Sequence, residues 1–170
     1  MMNPNDEMFE VYDAAGRCLG LAPRRECHGN PALIHRSVHV VIRHPAGRIL
    51  LQKRSAAKDI QPGRWDTAVG GHLSPGEDWE TAARRELGEE LGVTAPLELR
   101  HLFDMKVRNA IESEDIRVFG AVSEGPFRLQ EEEVDEVRFW RLPELEQPAV
   151  QDLLTPLLKQ ELELLRDTGR

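Results

Sequence analysis

Between His35 and Arg43 apolar and polar side chains alternate, with Val38, Val40 and Ile42 on one side. A two-residue period marks a strand with one buried face. His44-Pro45-Ala46-Gly47 then turns the chain, and Ile49-Leu50-Leu51 opens a partner strand. Earlier, Phe9-Glu10-Val11-Tyr12 and Arg17-Cys18-Leu19-Gly20-Leu21 flank Asp13-Ala14-Ala15-Gly16. That arrangement predicts an N-terminal β-hairpin over about residues 8–22. Residues 55–66 are polar around Pro62-Gly63 and read as a loop, and residues 67–69 read as a short strand entering Gly70-Gly71. The period then changes. Asp78 is placed to cap a helix running to about Leu91, with Glu80 in its first turn and Gly92 as its stop. Further strands fall within residues 97–107, 116–122 and 137–140. Over about residues 149–167, Leu153, Leu154, Leu157, Leu158, Leu162 and Leu165 recur at helical spacing, and Pro156 either begins a helix or kinks one. Such a stripe is ordinarily core packing; the alternative is a contact in a homodimer. The sum is a mixed α/β domain.

The chain has 170 residues, the size of one domain, 1–170, with its own core. No apolar run is long enough to span a bilayer. The first seven residues are polar and acidic, unlike a secretory signal. Two cysteines, Cys18 and Cys27, form neither a disulfide framework nor a metal knuckle. These features predict a cytoplasmic protein with reduced thiols and no membrane partner. A net charge of −8 excludes a nucleic-acid polymer held on a basic surface. A phosphorylated small molecule stays open, because bound cations reverse the local sign of a site.

The stretch that carries chemistry runs Gly71-His72-Leu73-Ser74-Pro75-Gly76-Glu77-Asp78-Trp79-Glu80-Thr81-Ala82-Ala83-Arg84-Arg85-Glu86-Leu87-Gly88-Glu89-Glu90-Leu91-Gly92-Val93. On a helix, Glu86, Glu89 and Glu90 project within an arc of roughly 100°. Glu86 and Glu90 form a like-charge pair that costs about 0.2–0.5 kcal/mol on an exposed helix, and neither has a lysine or arginine four residues away. A solvated acidic face accounts for the charges but not for leaving this pair uncompensated. A divalent cation with hard oxygen ligands, Mg²⁺ or Mn²⁺, accounts for both.

This stretch resembles the Nudix signature at every defining position. Gly71, Glu77, Arg85-Glu86-Leu87, Glu89-Glu90, Gly92 and Val93 stand at its spacing, and a chance match is on the order of 10⁻⁸. The resemblance implies a Nudix fold, a mixed β-sheet sandwiched between α-helices, with the box over residues 71–93. It implies that Glu86, Glu89, Glu90 and the Gly71 carbonyl hold divalent ions. Arg85 and Glu77 then brace the loop and orient the ligating glutamates, and Glu89, Glu90 and Arg85 form the catalytic set. The implied reaction is attack of water on a diphosphate linkage in a nucleoside diphosphate derivative or similar organic diphosphate.

Over roughly residues 9–123 the flanks resemble a narrower branch, type I isopentenyl-diphosphate isomerase and hydrolases similar to it. By that resemblance His28, His35, His72, Glu112 and Glu114 form a second, histidine-rich metal site, and Arg54 and Lys58 meet the substrate diphosphate. Imidazole and carboxylate together suit Mn²⁺ or Zn²⁺ better than Mg²⁺. Two departures favour hydrolysis. Gly70 stands where the isomerase carries its catalytic cysteine, and Glu86 and Glu89 are retained where the isomerase box has lost glutamates. Isomerase-like activity and a non-catalytic Nudix ligand-binding module are the alternatives. Trp65 is expected to pack its loop, and the run Glu131-Glu132-Glu133 to be a solvated turn with Glu133 and Glu114 as reserve bases behind Glu89 and Glu90. His39, His44 and His101 are expected to be strand and turn residues without chemistry.

Overall fold

The computed structural model describes residues 2–168. Strand β1 (Met8–Tyr12) pairs antiparallel with β2 (Cys18–Pro23) as the expected hairpin, followed by one helical turn, α1 (Arg24–Cys27). Phe9, Val11, Ala22 and Cys27 give this hairpin a small apolar cluster of its own. Strand β3 (His35–Arg43) organises the main sheet. It runs parallel to β8 (Ser113–Val122) over its whole length, and β8 pairs antiparallel with β7 (Arg100–Arg108). On its other side β3 meets β4 (Ile49–Arg54) for two residue pairs only, Ile42 with Leu50 and Arg43 with Ile49. The two strands then splay.

The segment that fills the splay carries the glycine pair. Strand β5 (Trp65–Thr67) pairs with β4, and after Ala68 strand β6 (Val69–His72) crosses to pair with β3. Strand β9 (Val134–Trp140) closes the far side of β4. Residues 67–69 are therefore not one strand ending at the glycines. The strand turns at Ala68 and continues through Gly70 and Gly71 to His72, because ladder hydrogen bonds need no side chain and both glycines lie under other groups.

Helix α2 (Trp79–Leu91) begins and ends where its caps dictate. Asp78 Oδ1 accepts from the Thr81 amide at 2.9 Å, and Gly92 takes the left-handed conformation, φ +65°, that ends the helix. Its buried face is Ala82, Ala83, Glu86, Leu87, Glu90 and Leu91, packed with Val38, Val40 and Ile42 on one side of the sheet. Beyond β9 come two short turns, α3 (Leu142–Leu145) and α4 (Pro148–Gln151), and then α5 (Pro156–Asp167). Pro156 starts α5, with Thr155 as its cap. Leu158, Leu162 and Leu165 bury against Val41, Leu51 and Trp140 on the other side of the sheet, each contributing about 1.5–3 kcal/mol. Leu154, Leu158, Leu162 and Leu165 are thus consumed by the core, Leu157 is partly buried, and Leu153 stays half-exposed between α4 and α5; both sheet faces are covered. Trp65 is buried edge-on against Trp140 as packing. Among the described residues no helix is long and apolar enough to cross a membrane.

Candidate active site

A cleft of about 510 Å³ opens where β3 and β4 splay, walled by α2, β6, the first turn of α5 and the residues 54–61 and 130–133 around it. The helix contributes two carboxylates from its buried face. Glu86 lies against Gly71, and Glu90 Oε2 accepts from Gln52 Nε2 at 3.0 Å. Glu89 projects half-exposed. The acids are therefore not a solvated face: two of them occupy positions that belong to the apolar stripe.

Arg85 is the cation at hand. Its Nε and Nη2 grip Glu77 at 2.8 and 2.9 Å, Nη1 reaches Glu86 at 2.7 Å and Glu89 at 3.3 Å, and Nη2 also donates to the His72 carbonyl at 3.0 Å. Glu86 thus has a neighbouring partner that four-residue spacing rules do not reveal. Glu77 in turn accepts from the Ser74 amide, so the fork ties the loop to the helix. Arg85 holds Glu77 below the usual carboxylate range. We expect Arg85→Lys, which keeps the charge but cannot span these partners, to lose about tenfold or more in kcat and to need more metal for half-activation. Wild-type kcat and metal midpoint in that variant would separate Arg85 from the site.

Burial lifts Glu86 to about 7 despite Arg85, and lifts Glu90 to about 8 with repulsion from Glu86 added. Both ionise near 4.5 when unfolded, so the folded, metal-free chain binds more protons than the unfolded chain between those values. Stability then falls as pH rises through this window. Chelator-treated protein is expected to lose several degrees of melting temperature between about pH 5 and about pH 8.5, and added Mg²⁺ to restore more of it at the higher pH. Melting curves flat with pH and metal would contradict the strain assigned to this pair.

On the other sheet face, β3, β6 and β8 bring His35, His72 and Glu114 together with ligand atoms within 4.8 Å of one another. Glu114 Oε1 meets Nε2 of both histidines at 3.1 Å, and Ser37 donates to Oε2 at 2.8 Å. Burial acts to raise the Glu114 pKa, but His72 and His35 outweigh it and hold this carboxyl well below its usual range. The His28 ring lies 6.2 Å from that of His35, its Nε2 is buried without a partner among the described residues, and burial lowers its pKa. Burial, then Glu114, raises Glu112. Glu112 and Glu114 do not share a regular strand face, because β8 begins at Ser113 and Glu112 closes the turn before it.

Arg54 and Lys58 line the cleft but already have acidic partners. Arg54 reaches Asp66 at 3.4 Å, and Lys58 is paired with Glu133. Glu131 and Glu132 are exposed, whereas Glu133 faces the cleft. His44 and His101 sit in a turn and on an exposed strand as expected. His39 lies on strand β3, as expected of a strand residue. It is buried, lines the cleft and bonds Glu161 of α5 through Nδ1 at 2.6 Å. The signal for that pair was present: Glu161 stands three residues after Leu158 and four before Leu165, on the apolar stripe itself.

The NUDIX domain model matches residues 33–160. An uncharacterised Nudix hydrolase of Pseudomonas aeruginosa is 36% identical over 162 residues, 94% of this chain and 92% of that one. An isopentenyl-diphosphate Delta-isomerase of Nocardia farcinica is 46% identical over 88 residues, 52% of this chain and 50% of that one. A crystal structure from Deinococcus radiodurans superposes with a TM-score of 0.76 at 24% identity, covering 96% of this chain and all of that one (100%). The box, the sheet-and-helix layers that present it and the extent of these similarities agree, and the chain belongs to the Nudix hydrolase family.

Proposed function

We propose that the protein hydrolyses a diphosphate linkage in a nucleoside diphosphate derivative or similar organic diphosphate, with Mg²⁺ or Mn²⁺. The observation that carries this reading is the packing of Glu86 and Glu90 into the buried face of α2, beside Glu89, with one guanidinium shared by Glu86, Glu89 and Glu77. Such a set fits a divalent ion: it offers hard oxygens, carries excess negative charge, and holds two carboxyls raised by burial that a cation would relieve. Glu86, Glu89, Glu90 and the Gly71 carbonyl would hold it. Bound ions of this kind neutralise phosphate oxygens and ease deprotonation of water.

The remaining work belongs to the chain. Arg85 and Glu77 fix the glutamates, and Glu89, the most exposed of the three, is free to swing and accept a proton, with Glu90 as the alternative base. Arg54 and Lys58 exchange Asp66 and Glu133 for the incoming diphosphate, whose oxygens offer them stronger charge-assisted bonds. His35, His72 and Glu114, with His28 and Glu112 beside them, fit a second ion of the Mn²⁺ or Zn²⁺ type. The buried, unpartnered His28 Nε2 supports that assignment. Two free cysteines accord with a reducing, cytoplasmic setting.

The test is a metal-dependent panel of dinucleotides, nucleoside diphosphate sugars, triphosphates and isoprenoid diphosphates in heavy-oxygen water. Product mass then identifies the phosphorus attacked. No turnover across the panel with either metal would defeat the hydrolase reading. The histidine cluster favours one second reading, isomerisation of isoprenoid diphosphates. Gly70 in place of a thiol argues against it, and absence of deuterium exchange into isopentenyl diphosphate would dispose of it.

A further inference from the structure

The polar row on β3 continues past the histidine cluster. His35, Ser37 and His39 occupy alternate positions, so they leave one sheet face at intervals of about 7 Å. His35 and Ser37 are engaged with Glu114. His39 instead meets Glu161, a carboxylate only 1% exposed whose one hydrogen-bond partner among the described residues is this ring. Leucine at that position would complete the apolar stripe of α5, and replacing a buried ion pair by apolar groups is often neutral or stabilising. Packing alone therefore does not explain the pair.

Its geometry points into the cleft. With Nδ1 committed to Glu161, Nε2 is the free end of the ring. That end faces Gly70: a Cβ built there would lie 3.3 Å from His39 Cδ2 and 3.5 Å from Nε2. Glycine thus leaves the imidazole edge open to a cleft that the first turn of α5 also lines. Beside it, the Thr67 hydroxyl is buried in the same wall without a partner among the described residues. The neighbouring cations Arg54, Lys58 and Arg85 face carboxylates, whereas Nε2 faces no acceptor among the described residues.

We propose that His39 is a substrate-contacting residue whose Nε2–H donates to a phosphoryl oxygen of the bound diphosphate, and that Glu161 is the positioning residue that holds the ring. The inference rests on the reading of the cleft as a diphosphate site. Burial alone would lower the His39 pKa, but Glu161 outweighs it and raises it, in the direction that favours the doubly protonated ring this contact uses. The contact supplies positive charge in a cleft dominated by acids, from the wall away from the glutamate helix.

The probe is methylenebisphosphonate with Mg²⁺, titrated into the full chain carrying ¹⁵N-labelled histidines. Saturation should shift the His39 Nε2 resonance, and Glu161→Gln should abolish that shift. His39→Gln should weaken probe binding about tenfold, the scale of one charge-assisted hydrogen bond. Glu161→Gln should weaken it similarly, and the double variant no further. Binding at wild-type affinity in His39→Gln, or an unmoved Nε2 resonance in the saturated wild-type chain, overturns the proposal while leaving the diphosphate site standing. Should His39→Gln fail to fold, the wild-type resonance decides. A wild-type chain that binds no bisphosphonate brings down both readings.

Discussion

Glu90→Gln is expected to lower turnover by at least about a hundredfold at saturating Mg²⁺ or Mn²⁺ while leaving the fold intact, a barrier increase of about 2.7 kcal/mol. The substitution keeps shape and the oxygen that accepts from Gln52 Nε2 at 3.0 Å, and removes only the charge. Glu90 is 6% exposed and has no cationic partner among the described residues, so in the metal-free protein its ionised form is a burden. The chelated variant should therefore melt at or above the wild-type temperature at pH 8, opposite in sign to the activity loss. Glu89→Gln should lose turnover by a similar factor for a different reason. Glu89 is half-exposed and, among the described residues, its one ion-pair partner is Arg85, so its value lies in what it gathers or deprotonates in the cleft. The measurement is kcat at saturating metal together with a melting curve. Wild-type turnover in both variants would remove the two glutamates from the mechanism.

The box helix was legible to the residue because its determinants are local. Asp78 and Gly92 lie at its ends, and the hydrogen bonds they satisfy are within three or four residues. β3 was equally legible from its alternation. Other strand limits were less so. β8 and β9 begin three residues before the apolar runs that suggested them, at Ser113 and Val134, where pairing with β7 and β4 extends the ladder through residues of no clear period. Nothing local announces the crossover at Ala68, which follows from two strands splaying elsewhere in the sheet.

The candidate site divides along the same line. The spacing of Glu86, Glu89 and Glu90 placed three acids on one side of a helix, but their unequal burial depends on the sheet beneath. Gln52 reaches Glu90 from 38 residues away, and Glu114 reaches His35 across 79, partners that no window on the sequence contains. Family resemblance brought the His35, His72 and Glu114 positions into one group, and the structure sets them within ligand distance. His39 and Glu161 are 122 residues apart and lay outside both routes. A charged residue on an apolar stripe was the local clue, legible only once α5 was known to face the sheet.

Gly71→Ala is expected to cost as much activity as losing the Glu86 carboxylate, at least about a hundredfold, with little change in stability. Gly71 does not have a positive φ, so alanine is compatible with its backbone. The obstacle is space. A Cβ there would stand 2.1 Å from Glu86 Cδ and 2.2 Å from Oε1, well inside contact distance. The colliding atoms end a flexible side chain, so the fold yields by swinging Glu86 out of the cleft rather than by moving β6. The carboxyl that burial had raised to about 7 then finds water, which offsets part of the lost packing. Melting temperature should shift by no more than a few degrees, while the Mn²⁺ concentration for half-activation rises. The decisive comparison is the double variant Gly71→Ala/Glu86→Gln. If the glycine acts by making room for that carboxylate, the double variant should be no less active than Glu86→Gln alone. Losses that multiply would mean that the methyl group damages the site by another route, and full activity in Gly71→Ala would show that Glu86 need not lie where it does.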